Sequence, residues 1–341
     1  MEPKRLLVIR SSALGDVAMT VPVLKQLLQH YPALELTVLT TAAFAPLFRL
    51  LERTEVYALE KKGRHKGVAG IYTLFRELKA LHSYDAVADL HNVLRSVILR
   101  NLFRLSGVAV AKIDKGRKEK KALTARENKK LVPLKTSFRR YADVFAALGL
   151  SFALDQELPV YSKQVLSPDA SALFIPGKKH IGIAPFAKHR EKMYPEDKML
   201  QVIQQLYNNC HNSLFFLGGG KEETGLLSEW QLQFPGIVNL AGKYSFTEEL
   251  AIISNLDMMI SMDSANMHLA SLFNVPVISI WGATHPYAGF YGWGQKLQNA
   301  VQTDLYCRPC SVFGNKPCYR GDHACMKQLP ESMIIEKADQ V

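Results

Sequence analysis

The chain has 341 residues, 48% of them hydrophobic, and its 42 Lys plus Arg against 31 Asp plus Glu give a net charge of +11. That length and apolar content suit about two packed domains, and no apolar run reaches the roughly 18–20 residues that cross a bilayer, which excludes a spanning helix. The charge excess calls for an acidic partner: nucleic acid, anionic lipid or a phosphorylated substrate.

The basic start and the short apolar run Leu6 to Ile9 read as a first strand and not as a secretory signal, so a cytoplasmic protein is expected. From Gly15 to His30, Val17, Val21, Leu24, Leu27 and Leu28 share one face of a helix. Leu36–Leu39 is the next strand and Ala42–Leu51 the next helix; Val56–Leu59 with Val68–Leu81, then Asp85–Leu90 with Arg95–Leu105, repeat the unit. Val108–Ile113 is a further strand, and Ser137–Leu148 a helix stopped by Gly149. Ser151–Lys179, with Pro159, Pro168 and Pro176, lacks a sustained period and reads as an interdomain connection. A second series follows: strand His180–Pro185, helix Pro195–Tyr207, strand Ser213–Leu217, helix Glu222–Gln233, strand Ile237–Leu240, helix Thr247–Asn255 and strand Met258–Met262. A helix from Ser264 and a strand over Val275–Ile280 close it. Short strands alternating with longer helices predict a parallel, doubly wound sheet, here twice. The expected domains are 1–165 and 166–341, facing a central cleft, with the last helix free to pack back on the first.

The turn Asp263-Ser264-Ala265-Asn266-Met267-His268 falls at the carboxyl end of a strand, where open α/β sheets bind ligands. A helix opening at Ser264 aims backbone N–H groups at that place, which suits phosphates; the alternative is that Asp263 merely caps the helix. Two basic clusters stand out in the first half: Lys61, Lys62, Arg64 and Lys66, and the run from Lys112 through Lys115, Arg117, Lys118, Lys120 and Lys121 to Lys129 and Lys130. Both are expected in loops after the third and fifth strands, where they either hold an anionic partner or form ordinary solvated surface.

The turn Ser11-Ser12-Ala13-Leu14-Gly15-Asp16 and the following Val21-Pro22-Val23-Leu24 resemble the N-terminal signature of the lipopolysaccharide heptosyltransferases, glycosyltransferase family nine. Lys192-Met193-Tyr194-Pro195-Glu196 resembles that family's Lys-x-Trp-Pro motif, with Tyr194 in place of Trp. The Asp263–His268 turn resembles its Asp-Thr/Ser-Gly-x-x-His motif, with Ala265 in place of Gly and Met262 where Thr or Ser is common; Val275-Pro276-Val277 and Trp281-Gly282-Ala283-Thr284-His285-Pro286 follow in order. The resemblance covers nearly the whole chain. It implies the GT-B fold, two Rossmann-like domains, and an inverting transfer of heptose from ADP-L-glycero-D-manno-heptose to the inner core of lipopolysaccharide.

Asp16 is by this resemblance the general base that deprotonates the acceptor hydroxyl, where the local sequence alone also allows a helix cap. Lys192 is expected to hold the diphosphate and offset charge on the leaving group. The resemblance adds Ser12, Gly15, Glu222 (or Glu223), Tyr244, Asp263, Ser264, Ala265 and His268 to the donor site, Glu222 on sugar hydroxyls and Tyr244 beside the adenine. Lys61, Lys62, Arg64, Arg117 and Lys120 are expected to steer and hold an anionic, lipid-linked oligosaccharide acceptor on the inner face of the inner membrane. No Asp-x-Asp occurs, so no metal cofactor is expected beyond stimulation by Mg2+. Cys307, Cys310, Cys318 and Cys325 lie within nineteen residues and are read as structural thiols, a zinc site or disulfides, in that order. Two rivals stay open: a sugar-nucleotide epimerase of the same fold, and a non-catalytic nucleic-acid binder, for which the basic loops carry few interleaved aromatics.

Overall fold

The computed structural model describes residues 3–157 and 160–341; Pro159, one of the breakers read into the interdomain connection, lies outside them. The chain forms two compact units, Met1–Lys115 with Lys135–Gln156, and Gly116–Leu134 with Glu157–Val341. This differs from the expected 1–165 and 166–341 chiefly in one place: residues 116–134 pack with the second unit.

In the first unit, β1 (Arg5–Ile9), β2 (Glu35–Thr40), β3 (Thr54–Ala58), β4 (Ala86–Asp89) and β5 (Ala109–Lys112) form a parallel sheet in the order β3-β2-β1-β4-β5. The run Leu6-Leu7-Val8-Ile9 is buried throughout because helices cover both faces, as parallel sheets require. On one face, α3 (Gly67–Leu81) and α4 (Leu94–Leu105) place Ile71, Leu74, Leu78, Leu99 and Phe103 against Leu7, Ile9, Leu39 and Val87. The other elements are α1 (Leu14–Ala18), α2 (Thr20–His30) and, beyond α5 (Arg117–Leu123) of the second unit, α6 (Ser137–Ala146). α2 and α6 pack together, burying Val21, Leu24 and Leu27 with Phe138, Val144 and Phe145. Thr136 caps α6 by accepting the Arg139 N–H at 3.3 Å.

In the second unit, β6 (Lys179–Ala184), β7 (Asn212–Phe216), β8 (Val238–Asn239), β9 (Met258–Met262), β10 (Val277–Trp281) and β11 (Ala300–Gln302) form a parallel sheet in the order β11-β10-β9-β6-β7-β8. Besides α5, its α-helices are α7 (Pro168–Ser171), α8 (Glu196–Asn208), α9 (Lys221–Gln233), α10 (Phe246–Asn255), α11 (Ala265–Leu272), α12 (Ala324–Lys327) and α13 (Glu331–Gln340). The last helix, α13, packs on α8 and buries Ile334 and Ala338 in the core of this unit, beside Met199, Val202 and Ile203. Both sheets reverse their order of growth beside the first strand, at β1/β4 and at β6/β9, and the ends of those strands are where ligands collect.

Three local expectations need correction. Ala42–Phe48 is a 3-10 helix and not an α-helix, because Pro46 inside it has no N–H to donate. The basic run after β5 is not all loop: Arg117–Leu123 is helical, built from strong helix formers whose only apolar members, Ala122 and Leu123, leave no period to read. α11 begins at Ala265, one residue later than read, with Ser264 as its N-cap.

Candidate functional site

Each unit carries a cluster at its strand ends. In the first, Arg10 follows β1 and is nearly buried, with 8% of its side chain exposed. Its Nη1 donates to the Leu90 carbonyl after β4 at 2.7 Å, and its Nη2 lies 2.6 Å from Asp16 Oδ2. Asp16 is the third residue of α1 and not its N-cap, which is Ala13; Oδ2 also accepts the Ala13 N–H at 3.3 Å. The carboxylate is therefore oriented by a guanidinium and a backbone amide, with 34% of the side chain open to solvent.

The Ser11-Ser12 turn before α1 borders a cavity of about 230 Å³ whose apolar floor includes Ile9, Leu39, Leu59, Leu74 and Leu99 and whose polar side is Ser11, Ser12, Lys61, His91, Arg95 and Ser96. His91 Nδ1 and Nε2 each lie 3.3 Å from a hydroxyl, Ser11 Oγ and Ser12 Oγ. Burial, reinforced by Arg10, Lys115 and Lys61, pushes the His91 pKa down to about 4, so the ring is neutral at pH 7. Lys61 donates to the Ser11 carbonyl at 2.7 Å; burial, and then Arg95, pull its pKa down. The loop that presents His91 is shaped by fully buried Asp89, which accepts the His91 and Asn92 N–H groups at 3.0 and 2.7 Å and pairs with Arg100 at 2.6 Å. Ser12 thus stands with His91, and Gly15 with Asp16, both in this unit.

In the second unit, Asp263 follows β9 and is 5% exposed. One oxygen, Oδ2, receives both Lys192 Nζ at 2.9 Å and Thr284 Oγ1 at 2.8 Å. Asp263 is accordingly not the helix cap: it fixes the Lys192 ammonium. The charge of this buried carboxylate is thereby offset by the ammonium. Ser264 makes no side-chain cap to α11, and its hydroxyl lies 3.2 Å from Ser261 Oγ, so the first-turn amides of α11 carry no side-chain cap. His268 is buried one turn further in. Tyr194, the substitute for Trp, is a core residue: its hydroxyl donates to the Leu329 carbonyl at 2.7 Å.

Glu222 is exposed in the first turn of α9, while Glu223 is committed to the glycine turn, its Oε2 accepting the Gly219 N–H at 2.8 Å. Gly220, at φ +84, needs a backbone that side chains disfavour there. Tyr244 is half-buried beside the start of α10.

The basic residues divide. Lys61 lines the first-unit cavity, and Lys62 is exposed. Arg64 is taken up by Glu60 at 3.0 Å and Glu77 at 3.3 Å. Arg117 is exposed on α5, but Lys120 is buried, its ammonium 4.3 Å over the Phe290 ring. Arg117 and Lys120 were expected in the first domain, on a loop; the structure places both on a helix of the second unit. Cys307, Cys310, Cys318 and Cys325 are free thiols, and among the described residues no three metal-ligating side chains are grouped to hold an ion. Arg10, His91, Arg95 and Thr284 were missed. Arg10, His91 and Thr284 stand one, two and three residues after the ends of β1, β4 and β10, and that position was the one available signal.

The sequence profile of glycosyltransferase family 9 (heptosyltransferase) matches residues 71–317. The chain is 27% identical to the lipopolysaccharide heptosyltransferase 3 of Escherichia coli, over 79% of this chain and 81% of that one. It is 24% identical to a lipooligosaccharide heptosyltransferase 2 of Campylobacter jejuni, over 95% of both. Among solved structures, the glycosyl transferase family 9 protein of Veillonella parvula superposes with a TM-score of 0.78 at 18% identity, covering 100% of this chain and 97% of that one. The E. coli heptosyltransferase WaaC with ADP superposes with a TM-score of 0.68 at 20% identity, over 98% and 99%. The chain belongs to glycosyltransferase family 9, the heptosyltransferases, and is a glycosyltransferase of the two-domain GT-B fold.

Proposed function

We propose that the protein transfers heptose from ADP-heptose to the inner core of lipopolysaccharide, with inversion at the anomeric carbon. The observation that carries this reading is the ammonium of Lys192, fixed by Asp263 and Thr284 beside the uncapped start of α11. A cation and a row of backbone donors at one place form a diphosphate seat. The relatives' names supply the sugar and the acceptor class, and one solved neighbour contains ADP-2-deoxy-2-fluoro heptose.

On this reading Asp16 takes the proton of the acceptor hydroxyl as that oxygen attacks the anomeric carbon. The bond from that carbon to the diphosphate oxygen breaks, and ADP leaves with the electron pair. Both contacts that hold Asp16 fall on Oδ2, which assigns proton transfer to Oδ1. The growing negative charge on the diphosphate is met by Lys192 and the amides of α11, so the step needs no metal. The cavity bordered by Ser11 and Ser12, on the turn that leads into α1 and Asp16, suits the acceptor: Lys61 and Arg95 would face an anionic group, and the Ser11, Ser12 and Ser96 hydroxyls match sugar hydroxyls. The acceptor is lipid-linked, and no described helix is long and apolar enough to cross a membrane. Peripheral contact with the cytoplasmic face of the inner membrane follows from the proposed acceptor, with exposed Lys62, Lys66 and Arg117 as candidate contacts.

The test is a transfer assay over a panel of nucleotide sugars with heptose-free and heptose-bearing core acceptors. ADP-heptose should be turned over in preference to ADP-glucose and to uridine-linked donors. Turnover of a uridine-linked donor in preference to ADP-heptose would overturn the assignment.

A further inference from the structure

Arg308 is 5% exposed, yet none of its hydrogen-bond acceptors is charged. Its Nε donates to the Gly282 carbonyl at 2.6 Å. Nη2 donates to the carbonyls of Trp281 at 3.1 Å and Thr284 at 3.0 Å and to Gln302 Oε1 at 2.9 Å, and Nη1 to the Thr303 carbonyl. A buried guanidinium solvated by neutral oxygens alone is a costly feature to keep in a core. Three of its acceptors, Trp281, Gly282 and Thr284, belong to the end of β10 and the turn that follows it. The Thr284 hydroxyl holds Asp263 Oδ2, the same oxygen that holds Lys192.

The segment carrying Arg308 meets Lys192 a second time. Gly314 sits at φ +70, and a Cβ there would stand 2.4 Å from Lys192 Cγ and 2.6 Å from its Cδ. The Gly314 N–H is itself pinned to Ser311 Oγ at 2.9 Å, and the Cys310 and Ser311 amides are pinned to the Ala283 carbonyl. One irregular segment therefore governs both ends of the Lys192 side chain: its stem through Gly314, its ammonium through Thr284 and Asp263.

We propose that Arg308 is a positioning residue for Lys192, acting through Thr284 and Asp263 to set the ammonium where the donor's diphosphate lands. The inference rests on the donor site assigned under Proposed function. Arg308 and Thr284, 5% and 1% exposed, are too buried to touch a bound nucleotide, so any effect on affinity has to pass through their partners.

The probe is ADP alone, titrated calorimetrically into the full chain as wild type, Arg308→Gln, Lys192→Ala and the double variant. Arg308→Gln is expected to weaken ADP about tenfold when Lys192 is present and to cost almost nothing once Lys192 is gone, the non-additivity of residues coupled through one network. Equal losses in both backgrounds would mark a merely structural residue and overturn the proposal. Where Arg308→Gln does not fold, Thr284→Val cuts the same chain of contacts one step later, and the same two outcomes decide. A wild-type protein that does not bind ADP refutes the donor assignment and this inference with it; additive losses in a protein that does bind refute the inference alone.

Discussion

Asp16→Asn would separate the proton transfer proposed for Asp16 from everything else this residue does. The Asn amide keeps the size of the side chain and an oxygen that can still accept from Arg10 and from the Ala13 N–H, but it cannot take a proton at neutral pH. General-base catalysis is worth about 10²–10⁴-fold, or about 3–5 kcal/mol of barrier at roughly 1.4 kcal/mol per decade. The fold should survive. Arg10 loses an anionic partner 2.6 Å away, and its own side chain is only 8% exposed. Breaking a fully buried pair costs about 3–5 kcal/mol. Here Asp16 is 34% exposed, so water replaces part of the lost interaction, and about 1–2 kcal/mol of stability is the expected loss. The assay is single-turnover transfer with enzyme in excess over labelled acceptor and saturating ADP-heptose, with ADP affinity measured separately and the folded fraction matched. Transfer should fall by about a hundredfold or more with ADP affinity unchanged. Transfer within about tenfold of wild type would remove Asp16 as the base, and a parallel loss of ADP affinity would move it to donor binding.

Lys192→Ala should weaken ADP binding and slow transfer more than it weakens binding, because charge on the diphosphate grows in the transition state; calorimetry and single-turnover rates on the same protein check the two effects. Lys61→Ala should raise the acceptor Michaelis constant, whereas Arg64→Ala should leave it unchanged, because Arg64 is already paired with Glu60 and Glu77; steady-state kinetics with varied acceptor tells them apart. Burial holds the His91 pKa near 4, below the ordinary 6.5, so the unfolded chain binds the proton first and stability falls as pH drops from 6.5 toward 4. The loss is about 3 kcal/mol at most and less for a half-buried ring, and denaturant midpoints at pH 7 and 5 should lie closer together for His91→Gln than for wild type. Burial raises the Glu249 carboxyl to about 7, above its ordinary 4.5, so its charged form costs stability that builds between pH 4.5 and 7 and persists above. Glu249→Gln should therefore stabilise the protein at pH 8, by about 3 kcal/mol at most, and change nothing at pH 4; equal midpoint shifts at both pH values would refute this.

The sheet strands and most helices were legible because their apolar residues recur at the strand or helix period, and the places after β1 and β9 were legible because a polar turn interrupts that period. What escaped was of three physical kinds. β11 is three residues long, too short to show a pattern. α5 has helix-forming residues but almost no apolar face, so it reads as charged loop. Thr284 and Arg308 act through bonds to residues far away in sequence, Asp263 and the turn after β10, and no local pattern encodes a partner at that distance. The basic clusters misled for a related reason. Charge can be counted from the sequence, but whether Lys120 faces solvent or an aromatic ring depends on Phe290, 170 residues on.

The two strand-end clusters share a device, and its chemistry explains the choice of residue. In the first unit Arg10 joins the end of β4, at the Leu90 carbonyl, to the carboxylate assigned to proton transfer. In the second, Arg308 joins the end of β10 to that of β11, at Gln302 and Thr303, and stands one hydroxyl away from the carboxylate that holds Lys192. Strand ends diverge as a parallel sheet twists, so a group that ties them must donate in several fixed directions at once. A planar guanidinium offers five such donors in one rigid fork; an ammonium offers three on a flexible stem and is more strongly hydrated. Lysine at either position would keep the charge and lose the geometry. At Arg10 that loosens one oxygen of one carboxylate; at Arg308 it releases several carbonyls of a turn on which Thr284, Asp263 and Lys192 depend in sequence. The second unit should therefore be the less tolerant of the two to an Arg-to-Lys exchange, although Arg308 reaches Lys192 only through Thr284 and Asp263 and Arg10 pairs directly with Asp16, the proposed base.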